Sequence, residues 1–143
     1  MSSENMTKRS RLCGMAVVCA MFLVMCMVSC QESLQERCAR EAREYTEKNC
    51  PANIGENMVL DSVTFSESGN VLGYFYSVSN ELDSAELMES NEGKFRDTMK
   101  KQIRNATNLK AYKEAGFTFV YVYISASGHN PLLVLRFEEE DYK

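Results

Sequence analysis

Phe117-Thr118-Phe119-Val120-Tyr121-Val122-Tyr123-Ile124 decides how this 143-residue chain folds. The stretch is built from aromatic and β-branched residues, the types that fit a pleated, packed surface. Residues on both of its alternating faces are apolar or amphipathic, which suits a strand in the middle of a sheet. Ser125 to Pro131 follows, with Gly128-His129-Asn130-Pro131 supplying turn chemistry. Leu132–Glu138 reads as the return strand, carrying Leu133, Leu135 and Phe137 on one face. Its tail, Glu138-Glu139-Glu140-Asp141-Tyr142-Lys143, is acidic and is expected to be solvated.

A second hairpin lies upstream. Val59, Val63 and Phe65 are spaced for a strand over Met58–Phe65, and Ser66-Glu67-Ser68-Gly69-Asn70 supplies the turn. Val71 to Val78 alternates again, with Leu72, Tyr74, Tyr76 and Val78 on one side and Gly73 and Ser77 on the other. One buried and one wetter face is the pattern of an antiparallel sheet covered on one side.

Helices flank these hairpins. Ser33-Leu34-Gln35-Glu36 is a capping-box pattern. Leu34, Cys38, Ala42 and Tyr45 then recur as one apolar stripe, and Cys50-Pro51 ends the helix because proline restricts the residue before it. The charged pairs around the stripe read as a solvated helix face. Leu82–Ala115 is the main helical region, with Asp83 or Ser84 as its cap and Phe95, Met99, Ile103 and Ala106 as its stripe. Thr107-Asn108 breaks it, and a short last helix ends at Gly116, a residue suited to the left-handed conformation there. The expected fold is α+β in the order helix-strand-strand-helix-strand-strand. Its two hairpins merge into a four-stranded antiparallel sheet with helices on one face.

The first 30 residues are different in kind. Lys8, Arg9 and Arg11 precede an uncharged apolar run from Leu12 to Val28, and the positive-inside bias holds such cations on the cytoplasmic side. The run is 17 residues long, between a signal core of about 7–15 and a membrane span of roughly 20. Length therefore leaves open a cleaved signal and a retained anchor. Met27-Val28-Ser29-Cys30 resembles the signal of bacterial lipoproteins, departing at Met27, where Leu is usual. The resemblance implies that residues 1–29 are a signal peptide, that Cys30 carries lipid, and that 30–143 is one small domain on a short tether in the bacterial cell envelope, at the outer membrane.

Charge narrows the partners. The whole chain carries −4, and losing residues 1–29 removes three cations and Glu4, leaving a still more acidic domain. Such a domain does not attract nucleic acid without specificity, so membrane attachment is expected through lipid on Cys30. Cys38 and Cys50 remain as a pair. If one helix ran through both, it would hold them roughly 18 Å apart, against the ~7 Å limit of a disulfide. Reduced thiols, or a bridge between molecules through Cys50, fit better.

No chemistry-bearing constellation stands out. His129 lies in a turn without a partner to set its pKa. Cys38, Cys50 and His129 lack the close spacing of a zinc site, and Glu138–Asp141 lacks the pattern of a calcium loop. Neither a metal nor another cofactor is expected. Asp61 and Asp83 are the carboxylates of a competing reading, a small hydrolase of envelope polymers, which needs two acids facing one cleft. Tyr74 and Tyr76 share a strand face, as do Tyr121 and Tyr123. Neighbouring strands would make the four rings one stripe, either core packing or a patch for protein or glycan.

The element order also resembles small envelope lipoproteins of the pilotin type, which hold secretion machinery at the outer membrane. The shared features are the final helix, Glu114-Ala115-Gly116-Phe117 leading into an aromatic strand, and the Gly128 turn. Together these readings give an envelope lipoprotein that is not an enzyme and binds or scaffolds an envelope protein. An inhibitor or immunity-type lipoprotein is a further alternative.

Overall fold

The two strands richest in tyrosine lie side by side and run in the same direction. β3 (Val71–Val78) and β4 (Thr118–Ser125) pair in parallel, Val71 against Thr118 and Val78 against Ser125. The computed structural model that shows this describes residues 31–143. The export segment and Cys30 lie outside the described residues.

Around this pair the sheet has five strands in sequence order. β2 (Met58–Ser66) joins β3 as an antiparallel hairpin, and β5 (Pro131–Phe137) joins β4 the same way. The hairpins are therefore where the alternation places them, but the sheet is mixed instead of wholly antiparallel. Residues 79–117 form a crossover that returns the chain to the end where β3 began. A connection of this length, carrying helices, makes the next strand parallel, whereas a tight turn makes it antiparallel. The fifth strand, β1 (Ala52–Gly55), pairs antiparallel with β2. Its four residues are too few and too polar to show an alternation.

Helix α1 (Leu34–Asn49) begins as its residues dictate. Ser33 Oγ accepts from the Glu36 N–H at 3.1 Å, and Glu36 accepts from the Ser33 N–H at 2.8 Å. Cys38 and Ala42 bury its stripe against the sheet, while Tyr45 stays exposed. Thr46 does different work. β1 reaches along β2 only as far as Leu60. Beyond it, Thr46 Oγ1 accepts from the Val63 N–H at 2.8 Å and donates to the Val63 carbonyl at 2.9 Å. One side chain thus supplies both hydrogen bonds of a missing strand, sparing Val63 the cost of unpaired backbone groups.

The crossover divides more finely than its periodicity predicts. A single 3-10 turn at Asn80–Leu82 leads to α2 (Ala85–Ser90), α3 (Glu92–Asn105) and α4 (Lys110–Glu114). Ser84 is the cap, accepting from the Leu87 N–H at 3.3 Å. Asp83 instead accepts from the Ser127 N–H and hydroxyl at 3.1 and 2.7 Å, tying the crossover to the β4–β5 turn.

All the buried helical side chains join one core with one face of the sheet. Phe117, Phe119, Phe137, Leu135, Val78, Met88 and Ile103 are its most deeply buried members. The acidic tail is not merely solvated: it turns into α5 (Glu139–Tyr142), and Tyr142 is buried. Its hydroxyl donates to the Phe117 carbonyl at 2.6 Å, and its ring meets Phe119 edge-on at 5.4 Å. Lys100 pairs with Asp141 at 2.8 Å, and Arg104 donates to the Asp141 carbonyl at 3.1 Å. The acids of the tail are the anchors of a clasp as well as a solubilising run.

Tyr142→Ala should lower unfolding stability by about 3–5 kcal/mol, as other buried aromatic truncations do. Tyr142→Phe should cost about 1–3 kcal/mol by leaving the Phe117 carbonyl without its donor. Urea denaturation measures both. Lys100 holds Asp141 below the usual carboxylate range, so its contribution is intact above about pH 4 and is lost as pH falls further. Asp141→Asn should remove that part of the acid sensitivity.

Candidate functional site

The crossover leaves a groove between α1 and α3, floored by β3. Two adjoining cavities of about 460 and 370 Å³ occupy it. Met58, Leu82, Leu87, Phe95 and Met99 line the larger, and Cys38, Ala42, Leu60, Leu72 and Tyr112 line the smaller. Ile54 and Tyr76 border both. Polar groups are few: Asn91, Lys94, Thr98 and Gln102 on one wall, Glu41 and Asn108 on the other.

The rim of this groove is unusually apolar. Four large hydrophobic side chains stand exposed among the described residues, and three of them, Tyr45 (44%), Ile54 (54%) and Leu87 (38%), line it. Local structure holds them there. Ile54 projects from the short edge strand β1. The β1–β2 turn is pinned to the crossover, because Asn57 accepts from the Asn80 side chain at 2.8 Å and donates to Glu81 at 2.8 Å.

The four tyrosines expected to share a stripe do come together. The parallel register places Tyr74 beside Tyr121 and Tyr76 beside Tyr123, and the rings stack at 5.0 and 5.3 Å. Tyr121 also lies 6.4 Å from Tyr76, making a continuous ladder. Tyr121 and Tyr123 are buried, while Tyr74 and Tyr76 are partly covered and face the groove. Burial pushes the hydroxyl pKa values of Tyr74, Tyr76 and Tyr121 strongly upward, and that of Tyr123 to about 12. Burial, together with a 2.6 Å hydrogen bond donated to Glu41, brings Tyr112 to about 12. The ladder is neutral at any physiological pH.

The other residues singled out by sequence do not converge on chemistry. His129 is exposed in its turn at φ +54°, its backbone N–H donating to the Ser125 carbonyl at 2.9 Å. Asp61 accepts from the Ser77 hydroxyl at 2.6 Å, and Asp83 is committed to Ser127. Neither acid lines either cavity. Among the described residues no group of three or more His, Cys, Asp or Glu side chains is placed to hold a metal ion. Cys38 and Cys50 carry free thiols. Burial, followed by the Glu41 carboxylate, raises Cys38 to about 11. Ile54, Leu87 and Tyr45 are the site residues that pattern reading misses. Ile54 is one aliphatic residue in a polar segment, and Leu87 lies outside the Phe95-to-Ala106 stripe. Tyr45, at the end of the α1 stripe, reads as core.

The sequence of residues 33–133 matches a family model described as Domain of unknown function (DUF8479). The chain belongs to that family. No curated relative matches it. Two solved structures share the DUF8479 chain's fold. One is a Pseudomonas aeruginosa protein provisionally described as secreted, 20% identical, with a TM-score of 0.63 over 79% of this chain and 100% of that one. The other is EpsS, the pilotin of the Vibrio vulnificus type 2 secretion system, 9% identical, with a TM-score of 0.54 over 77% of this chain and 92% of that one. The resemblance to pilotins suggested by element order thus holds at the level of fold.

Two outcomes follow for the DUF8479 domain. In an alkaline absorbance titration, the ladder tyrosines should stay protonated past pH ~11 and ionise together with unfolding. Because their folded pKa values are raised, stability should fall as pH rises through the ordinary tyrosine range. Ellman's reagent at pH 8 should modify Cys50 well before Cys38, whose reaction should wait for unfolding. Equal rates would place Cys38 outside the core.

Proposed function

We propose that this protein is a lipid-anchored envelope protein, attached through Cys30, that binds an envelope protein without catalysis. The groove between α1 and α3 receives a helical segment of that partner. The observation that carries this reading is the gathering of Tyr45, Ile54 and Leu87 around one apolar groove. Solvent-exposed apolar side chains concentrated at one place mark an interaction surface, whereas scattered ones do not. β3 floors the groove with Tyr74 and Tyr76, and the length of β3, eight residues, is about 25 Å at strand rise. An amphipathic helix of four turns spans a similar distance and recognises such grooves through its apolar face. The fold shared with a secretion-system pilotin supports a partner in the envelope. Asp61 and Asp83, the carboxylates named for the hydrolase alternative, do not line the groove.

A photo-reactive residue placed at Ile54 or Leu87 of the full chain should crosslink one envelope protein, within a helical segment identified by mass spectrometry. Tyr76→Ala or Ile54→Asp should cut that adduct at least tenfold. An adduct insensitive to both substitutions, or none, overturns the groove assignment. Anchoring is tested separately by intact mass. Residues 30–143 plus acyl chains, lost in Cys30→Ala, is the expected result, and an unlipidated chain overturns it.

A further inference from the structure

The groove between α1 and α3 differs at its two ends. The larger cavity includes Met58, which is registered with Val78 at the end of β3. The smaller includes Leu72, near the start of β3. Each cavity has one charged residue in its lining, and the two are opposite in sign: Lys94 in the larger, Glu41 in the smaller. We infer, on the strength of the helix-binding reading above, that the groove takes its helix in one direction. The amino end of the partner helix lies at Glu41 and its carboxyl end at Lys94.

The Glu41 end is closed by a bridge between the walls. Tyr112, which continues the α3 wall in α4, donates its hydroxyl to Glu41 of α1 at 2.6 Å. Arg37 pairs with the same carboxylate at 3.3 Å and stands 5.5 Å over the Tyr112 ring. A helix lying in the groove has to stop at this bridge. The Glu41 side chain is still 49% exposed, and a carboxylate has about four acceptor sites. It can therefore meet the N–H groups that the first turn of a helix leaves unpaired. The carbonyl end of a helix at the same place would set acceptor against acceptor.

At the other end the charge is reversed. Lys94 stands exposed in the first turn of α3 and forms no ion pair among the described residues. The other polar residues of that cavity, Asn91, Thr98 and Gln102, are uncharged. An ammonium there suits the unpaired carbonyls and the negative dipole end of a helix's last turn. The groove is about as long as a four-turn helix. A helix of that length stopped by the Tyr112 bridge therefore has its last turn near Lys94. Proximity matters, because interaction with the helix dipole fades beyond one turn. The apolar lining can hold a helix running either way, so the charged ends decide. Electrostatic complementarity sets orientation and register more than affinity.

The test uses the full chain in cells, with a photo-reactive residue at Asn108 in the smaller cavity and, separately, at Leu87 in the larger. Both probes should label one helix of one protein. The residue reached from Asn108 should lie about two or three turns amino-terminal to the residue reached from Leu87. Lys94→Glu should cut the Leu87 adduct at least about threefold, and Lys94→Arg should preserve it. Circular dichroism should be unchanged in both variants. Adducts that Ile54→Asp removes, but whose order is reversed or whose yield ignores Lys94→Glu, overturn the direction and leave the groove reading standing. No adduct, adducts with two different proteins, or adducts that survive Ile54→Asp overturn the groove reading and the direction with it.

Discussion

The parallel pairing of β3 with β4 is the constraint from which the rest of the architecture follows. Two strands running the same way cannot be joined by a turn, so a long connection has to cross the sheet. Here that connection carries α2, α3 and α4 over one face, and α1 lies on the same side. The pairing also sets Tyr74 against Tyr121 and Tyr76 against Tyr123 without offset. An antiparallel arrangement of the same strands would reverse one of them and change which rings meet. The aromatic ladder and the groove above it are thus products of one choice of strand direction.

Energetically the inner face does most of the stabilising. Phe117, Phe119, Phe137 and Leu135 are fully buried, and each such side chain contributes roughly 1.5–3 kcal/mol relative to exposure. The ion pairs on the helix surfaces are minor by comparison. Arg37–Glu41, Arg40–Glu44 and Lys48–Glu44 are all substantially exposed, and solvent screening leaves such pairs little to contribute. Polar side chains matter where backbone would otherwise be left unpaired, as Thr46 shows at Val63 and Asp83 at Ser127.

Much of this was legible in the sequence because it rests on local periodicity. The capping box at Ser33, the stripe through Cys38 and Ala42, and the inward residues of β3 to β5 are set by spacing of three, four or two, whereas in β2 a register shift between Leu60 and Ser62 puts Leu60 in the core with Val63, where alternation points to Val59. Strand direction was not legible: alternation in Val71–Val78 is identical for parallel and antiparallel neighbours. β1 was hidden because four residues give no period. The docking of α5 was hidden because Tyr142 is one aromatic in an acidic run, and its partner, the Phe117 carbonyl, belongs to backbone. Of the candidate site, the tyrosines were readable as two faces. Ile54 and Leu87 were not, since their importance comes from standing at a shared rim and not from any pattern they belong to.

The hydrogen bond from Tyr142 to Phe117 has a consequence for the order in which the molecule can be completed. The side chain that closes over Phe119 arrives from a segment after β5, later in the chain than every strand. A polypeptide that emerges or crosses a membrane amino-end first would present helices and sheet while that aromatic edge was still open to water. Closure over Phe119 is thereby coupled to delivery of the segment that follows β5. Until then Phe119 lacks the edge-on ring that covers it in the folded protein.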